Sequence, residues 1–279
     1  MSYKLFNLPP HLKDKKIACV TLDYELDYGD RTNEFNILND NFDEIKQLGT
    51  VFKDCETPIS TFIRTDMFND YKNSIDALKL ISNDFHCHSH THNTKNFKSD
   101  YEIKTNKEIF CDTFGTEPLG YRAPCGVLND GDTDLLLKNG FKFSSSIFPS
   151  YRPKKFNNLH LPQLPFLHEN GLLEIPFATC NLFRIVYSMS YLKLLGFPLI
   201  KSLNALTGLP NILIIDSHLH DFIYNQKSVE KLPTLPRLAW SRNKKNSLKI
   251  YQKMINYLRE QGYTFLNMTE LYQQLINPK

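Results

Sequence analysis

The stretch KIACVTLD (residues 16–23) gives the first indication of the fold, because it is a short, mostly apolar run that ends in an acid. Runs of this kind, without regular polar alternation, are typical of strands buried on both faces of a sheet. Seven further stretches have a similar character, and they span residues 57–65, 83–89, 119–124, 141–148, 172–179, 211–219 and 263–268. The sequence therefore predicts eight strands, most of them in the interior.

Amphipathic patterns lie between these runs, at residues 39–53, 99–115 and 246–262. The last two end at Gly115 and Gly262, and a glycine after the last periodic residue is a common helix stop. Alternation of apolar strands with helices predicts a parallel sheet covered by helices. We expect one α/β domain over residues 1–279, built as a (β/α) barrel of seven or eight strands, closed or partly open. In such barrels catalytic side chains gather at the carboxyl ends of the strands.

Size and composition are those of an ordinary globular protein. The 279 residues are 41% hydrophobic and 23% charged, with a formal net charge of +3. We find no basic block dense enough for nucleic acid and no apolar stretch long enough to span a bilayer, so we expect no nucleic-acid partner and no membrane-spanning segment. Six cysteines without a C-x-x-C pair, and an N-terminal stretch without an apolar leader, favour a reduced, cytoplasmic protein.

Two carboxylates follow the first predicted strand in TLDYELDYG (residues 21–29). If the strand continues, Asp23 and Glu25 lie on one face, and two carboxylates in one space need a cation or an arginine between them. The alternative is a solvated acidic loop, which is the expected setting of Asp27 and Asp30.

Four of the nine histidines lie in DFHCHSHTHNT (residues 84–94). His88 and His92 are four residues apart, so they share a face whether the chain stays extended or turns into a helix. His90 shares that face only in an extended chain. His86 can equally have a purely structural role. Two histidines and one carboxylate form a typical catalytic metal site, because they leave a coordination position for water.

Two further strand ends carry polar residues. In GYRAPCG (residues 120–126), Arg122 precedes a turn stiffened by Pro124, and such a turn can present a backbone N–H to a developing oxyanion. The alternative is a plain turn with a surface arginine. In ILIIDSHLHDF (residues 212–222), either His218 or His220 is a candidate general acid, and the other would be structural.

The remaining histidines, His11, His160 and His168, do not belong to any of these clusters, and we expect them at the surface. The segment 182–200 is apolar apart from Arg184 and Lys193. It predicts a core or covering helix, with a membrane-surface contact for a lipid-linked sugar as the alternative.

In this order, the motifs TLDYE, HSHTH, RAPCG and SHLHD resemble the polysaccharide deacetylases of carbohydrate esterase family 4, over about residues 16–270. The resemblance implies a distorted (β/α) barrel of the glycoside hydrolase and deacetylase type. It also implies removal of N-acetyl groups from amino sugars in a glycan or glycan precursor, with a divalent metal that is usually zinc. Iron, cobalt or nickel could take the same ligands.

The family motifs imply roles for single residues. The H-[ST]-x-x-H motif fits His88 and His92 as metal ligands, and the first motif makes Asp23 the base and Glu25 the third ligand. The arginine–proline motif places Arg122 beside the base.

The same arginine–proline motif puts the Cys125 N–H in the oxyanion position. For the acid, the H-x-x-[DE] form favours His218 and the H-D form favours His220.

The sequence also departs from the common family pattern. Tyr24 separates the two acids, as in branches with a D-x-E first motif, and the aspartate–tryptophan motif is missing, since Trp240 is the only tryptophan. Two other functions stay open: hydrolysis of a non-peptide C–N bond in a small ureide or cyclic imide, and a catalytically inactive glycan-binding module.

Overall fold

The computed structural model describes residues 2–29, 32, 34–68, 70, 72–92, 100–128, 130–153, 155–180 and 182–277. Its strands, in chain order, are β1 Tyr3–Leu5, β2 Ile17–Tyr24, β3 Ile59–Ile63, β4 Asp84–Cys87, β5 Gly120–Tyr121, β6 Phe143–Ser144, β7 Tyr151–Arg152, β8 Phe156–Asn157, β9 Phe166–His168, β10 Leu173–Glu174, β11 Ile212–His218 and β12 Thr264–Phe265. All eight predicted strands are present, most of them shorter than predicted. The sequence did not indicate β1, β7, β8 and β9.

The helices are α1 Asn36–Asp40, α2 Phe42–Asp54, α3 Lys72–Ile81, α4 Asp100–Phe114, α5 Asp130–Lys138, α6 Met189–Leu195, α7 Phe197–Thr207, α8 Leu219–Phe222, α9 Gln226–Glu230, α10 Thr234–Ser241, α11 Ser247–Glu260 and α12 Met268–Ile276. Three single turns of 3₁₀ helix span Pro10–Leu12, Pro124–Gly126 and Lys244–Asn246. The predicted helix 39–53 is two helices, and Ser99, at the start of the predicted helix 99–115, lies outside the described residues. The apolar segment 182–200 is also divided, because Gly196, with φ of 85°, separates α6 from α7.

Seven parallel strands form the centre of the fold, in the order β11-β2-β3-β4-β5-β6-β10. Strand β12 also pairs parallel with β2, while β9 and β1 extend the sheet with antiparallel pairs. After β10, the amide of Ala178 donates to the carbonyl of Ile214 in β11, so the chain after the last parallel strand reaches the first one. The predicted α/β fold with a parallel sheet and surrounding helices is confirmed.

Burial on both faces explains why β2 and β11 could be found from their sequences. All eight residues of β2 and six of the seven residues of β11 are buried, because helices and the barrel interior cover the two faces. The register pairs Asp23 with His218 at the carboxyl ends of these neighbouring strands. The polar motifs of the two strands therefore meet at one end of the barrel.

Two further findings concern the cysteines and the membrane. All six cysteines are free thiols. Among the helices that the structure describes, none combines the length and the hydrophobicity needed to cross a membrane.

Candidate functional site

Three side chains from two strand ends converge at the carboxyl end of the barrel. Glu25 Oε2 lies 3.2 Å from His88 Nε2 and 2.6 Å from His92 Nε2. One donor atom from each of the three residues lies within 4.8 Å of the other two, and all three residues are buried. The structure thus brings together the three side chains that the sequence analysis proposed as metal ligands.

The loop after β4 holds the two histidines in place. Its backbone is unusual, since Ser89 and His92 have φ values of 60° and 57°, a region that residues other than glycine rarely adopt. The hydroxyl of Ser89 accepts a hydrogen bond from the amide of His92 at 3.0 Å, which closes the turn. The serine or threonine of this motif therefore stabilises the turn between the two histidines.

Helix α4 fastens the same loop from outside, through residues that the sequence did not indicate. Glu102 accepts hydrogen bonds from the amides of His90 and Thr91, and Asn106 donates to the carbonyl of Ser89 at 2.6 Å. Both helix residues are buried. On a helix, a Glu and an Asn four residues apart resemble an ordinary solvated face, so this role could not be predicted from the sequence.

The donor set fits a divalent cation. Nδ1 of His88 donates to the carbonyl of Arg122 at 2.9 Å, so in the neutral ring Nε2 carries the lone pair and faces the carboxylate of Glu25. A lone pair and a carboxylate at this distance repel each other unless a proton or a metal ion lies between them. Burial alone would raise the pKa of Glu25, but His92 and His88 lower it well below its usual value, so the carboxylate is ionised. Two imidazoles and one carboxylate are common ligands for zinc and related ions.

Asp23 lies beside this cluster and is held by a buried arginine. Arg122 donates from one terminal nitrogen to Asp23 Oδ1 at 2.5 Å, and from Nε to the carbonyl of Ser145 at 2.9 Å. Its guanidinium carbon lies 3.8 Å and 4.3 Å from the ring centroids of Phe62 and Phe177. The alternative of a surface arginine is wrong, because Arg122 is only 1% exposed. Arg122 therefore fixes Asp23 with its other oxygen, Oδ2, facing His88 and His218.

His218 is the histidine that faces the two carboxylates. Its Nε2 lies 3.8 Å from Asp23 Oδ2 and 3.6 Å from Glu25 Oε1, and its Nδ1 lies 3.6 Å from Asp221 Oδ2. Burial alone would lower the pKa of His218, but the neighbouring carboxylates, Asp216 first among them, raise it well above its usual value. The ring therefore favours its protonated form.

His220 lies in a different environment and makes a structural contact. Its Nδ1 accepts a hydrogen bond from the amide of Tyr28 at 3.1 Å, and its ring packs against those of Tyr28 and Trp240. Burial, followed by repulsion from His218, lowers the pKa of His220 to about 3, so it is neutral. His220 thus fixes the loop that follows Glu25.

Cys125 lines the same cavity as the cluster. It has φ of 56° and ψ of 11° in the turn after Arg122, and the amide of Ala123 in this turn donates to the Ser146 hydroxyl at 2.8 Å. The turn is therefore rigid, as the sequence predicted. The oxyanion role of the Cys125 amide stays a prediction.

The two unassigned histidines of the 84–94 segment lie outside the cluster. His86 is buried and lies 3.1 Å from Asp84, the first residue of β4, so it faces the opposite end of the barrel. Nδ1 of His90 lies 3.1 Å from the hydroxyl of Thr65. Both residues have structural contacts.

Two expectations about polar residues are wrong. His168 is not at the surface: it is 1% exposed and lies 3.1 Å from Glu174, whose other oxygen accepts two backbone amides. Asp27 is not in a solvated loop either, because its carboxylate accepts hydrogen bonds from the amide of Ile37 and the hydroxyl of Ser228. Ser228 is distant from Asp27 in sequence, and no pattern near Asp27 or His168 predicts these contacts. Asp30 lies outside the described residues.

A cavity of about 730 Å³ opens above the cluster. Its floor contains the carboxylates and histidines described above, and its walls contain mostly aromatic and aliphatic side chains. The wall and mouth residues include Tyr28, Phe148, Tyr151, Arg152, Lys155, Phe156, Phe177, Tyr191, Leu194, Leu235 and Trp240. A polar floor with apolar walls is typical of sites that bind a small molecule or one part of a longer chain.

No family model matches the sequence, and no curated protein matches it either. Solved structures do. A protein of Mycobacterium smegmatis, assigned as a polysaccharide deacetylase, is 14% identical with a TM-score of 0.59 over 98% of this chain and 95% of the other. A peptidoglycan N-acetylglucosamine deacetylase with a bound N-hydroxybenzamide is 12% identical with a TM-score of 0.54, over 97% and 94%. A Bacillus anthracis pseudoenzyme of carbohydrate esterase family 4 is 13% identical with a TM-score of 0.52, over 94% and 66%. The chain therefore has the fold of the polysaccharide deacetylases of carbohydrate esterase family 4.

Proposed function

We propose that this protein is a metal-dependent hydrolase that removes the N-acetyl group from an amino sugar in a glycan or glycan precursor. The observation that carries the proposal is the convergence of Glu25, His88 and His92 beside an Asp23 that Arg122 holds in place. This set contains three metal ligands, a base and a group that positions the base, at the floor of one cavity.

The chain's own residues account for the proton transfers. A divalent cation held by Glu25, His88 and His92 would act as a Lewis acid toward the acyl carbonyl and would make water more acidic. Asp23 accepts the proton of the attacking water, because Arg122 occupies its Oδ1 and leaves Oδ2 facing the site.

The leaving nitrogen needs a proton, and His218 is placed and charged to give it. Its Nε2 lies within 4 Å of both site carboxylates, and its surroundings favour the protonated ring. The amide of Cys125, in the rigid turn after Arg122, is the proposed donor to the developing oxyanion. Acetate and a free amine are the products.

The comparisons support the substrate class. One structural neighbour is a peptidoglycan N-acetylglucosamine deacetylase, and another is a polysaccharide deacetylase by assignment. A third neighbour is a pseudoenzyme, so the fold does not guarantee activity. The complete set of polar groups in this chain favours an active enzyme. Zinc is the proposed metal, and free thiols at all six cysteines support the proposed reducing, cytoplasmic location.

Acetate release tests the proposal. We expect purified protein loaded with zinc to release acetate from N-acetylglucosamine oligosaccharides, and Glu25→Gln to abolish both metal retention and release. Ring opening of a cyclic imide without acetate release would favour the small-molecule hydrolase instead. Binding of the oligosaccharide without turnover, across zinc, iron, cobalt and nickel, would favour an inactive glycan-binding module.

A further inference from the structure

The mouth of the cavity exposes apolar side chains that the rest of the protein does not cover. Tyr151, Tyr191 and Leu235 line the cavity and are 59%, 43% and 79% exposed. Leu238, three residues after Leu235 in α10 and therefore on a neighbouring part of the helix surface, is 64% exposed. We call these four residues the apolar rim. Helix α10 has no buried residue, and although Trp240 packs against Tyr28 and His220, Leu235 and Leu238 remain mostly exposed.

The apolar rim comes from stretches of sequence that contain no acid. Residues 135–168, 175–215 and 231–259 contain sixteen Lys and Arg and no Asp or Glu. The whole chain has a formal net charge of +3, so the residues outside these three stretches carry a net charge of −13. Every residue of the apolar rim comes from these three stretches, and so do Arg152 and Lys155, which line the cavity beside it.

Exposed apolar residues with Arg152 and Lys155 beside them fit one kind of occupant. A glycan in water gains little from exposed leucines, and nucleic acid gains nothing from them. A lipid bilayer with anionic headgroups satisfies both features, because apolar side chains enter the headgroup region while Lys and Arg are attracted to the negative surface. The apolar segment 182–200 contributes Tyr191 to this surface, whereas Met189 and Leu192 in the same helix are buried.

We propose that the mouth of the cavity docks on an anionic membrane surface through the apolar rim, with Arg152 and Lys155 against the lipid phosphates. In this position the floor of the cavity faces the headgroup layer. The substrate would then be an N-acylated sugar on a lipid carrier, and this last step rests on the proposed deacetylase function. The docking itself does not, since it depends on the rim and its charges alone.

Co-sedimentation with vesicles tests the docking without any measurement of activity. We expect the full chain to bind vesicles of equimolar phosphatidylglycerol and phosphatidylcholine, to bind pure phosphatidylcholine much less, and to be released by salt. Leu235→Asp should lower partitioning into the anionic vesicles by about tenfold or more, because it removes an inserted side chain and adds repulsion. The double variant Arg152→Gln with Lys155→Gln should also bind less, with a weaker dependence on salt.

Leu5→Asp is the matched control. Leu5 is 76% exposed, close to the exposure of Leu235, but it lies beside Asn211 at the amino end of β11, away from the site. It should bind as the unmodified protein does, and thermal unfolding should show that all variants are folded. Absence of binding to the anionic vesicles, equal binding to neutral ones, or an equal loss in Leu5→Asp and Leu235→Asp would each overturn the docking proposal. None of these results bears on acetate release from a soluble oligosaccharide.

Discussion

Among single residues, Asp23 has the central role in the proposed mechanism, where it acts as a base and not as a metal ligand. Its Oδ1 is taken by Arg122, while Glu25, His88 and His92 form their own cluster. We expect Asp23→Asn to lower kcat for acetate release by about 10²- to 10⁴-fold, the usual contribution of a general base, and to keep its metal. Unchanged turnover, or loss of metal in this variant, would refute the assignment.

The two histidines of the SHLHD motif should behave differently. His218→Asn removes the proton donor, so we expect kcat to fall by about 10²-fold or more. In His220→Asn the amide oxygen can still accept the Tyr28 amide, because it lies where Nδ1 of histidine lies, so turnover should change by less than about tenfold. Steady-state kinetics of the two variants decide this. A larger loss in His220→Asn would reverse the roles.

Asp216 should make stability depend on pH. Burial, and then repulsion from Asp23, raises the pKa of this carboxyl to about 7, although His218 and Arg122 oppose the shift. The folded state therefore prefers the neutral acid. Its contribution to the free energy of unfolding is largest below the ordinary pKa of 3.8 and is lost as the pH rises through about 7.

Denaturant unfolding of the protein and of Asp216→Asn at several pH values measures this contribution. The difference in unfolding free energy, unmodified protein minus variant, should fall by up to roughly 4 kcal/mol between about pH 4 and pH 7. A difference that stays constant or rises over this range would show that folding does not raise the pKa of Asp216, and would contradict the prediction.

At the scale of elements, sequence patterns succeeded where burial alone determines the structure. The runs that became β2 and β11 are apolar because both of their faces are covered, and the spacing of His88 and His92 gives a shared face in either local conformation. Strands β7 and β8 have two residues each, too few for any periodicity to show. The partners of Glu102 and Asn106 in the loop after β4 lie 11 to 17 residues away, so no helical pattern within α4 could reveal them.

Asp84 connects three elements at the end of the barrel opposite the site. Its carboxylate contacts His86, accepts a hydrogen bond from Ser60 in β3, and accepts hydrogen bonds from Met268 and Thr269 at the start of α12. Burial alone would raise the pKa of Asp84, but His86, Ser60 and Thr269 lower it well below 3.8.

We expect Asp84→Asn to lose about 3–5 kcal/mol of stability near neutral pH, since it breaks a buried, charged network. The sign of the pH dependence is opposite to that of Asp216. The stabilisation is fully present above the ordinary pKa of 3.8 and is lost on acidification, so the difference between protein and variant should shrink below about pH 4. Chemical denaturation at neutral and acidic pH checks both statements, and an equal difference at the two values would contradict them.

In the whole molecule, acidic and basic side chains are concentrated in different parts of the cavity. Acids and histidines at the ends of β2, β4 and β11 form the floor of the cavity, and three acid-free stretches contribute the apolar rim at its mouth. A net charge of only +3 hides this separation. The four site motifs lie far apart in the sequence, and the parallel strand order brings their carboxyl ends together.

The most direct test of the account is the metal content of the purified protein, measured by elemental analysis after incubation with zinc and extensive dialysis. We predict about one ion per chain for the unmodified protein and for Asp23→Asn, and almost none for Glu25→Gln, His88→Ala or His92→Ala. Absence of a retained ion in the unmodified protein, or full retention in the three ligand variants, would contradict the central claim that these side chains hold a metal.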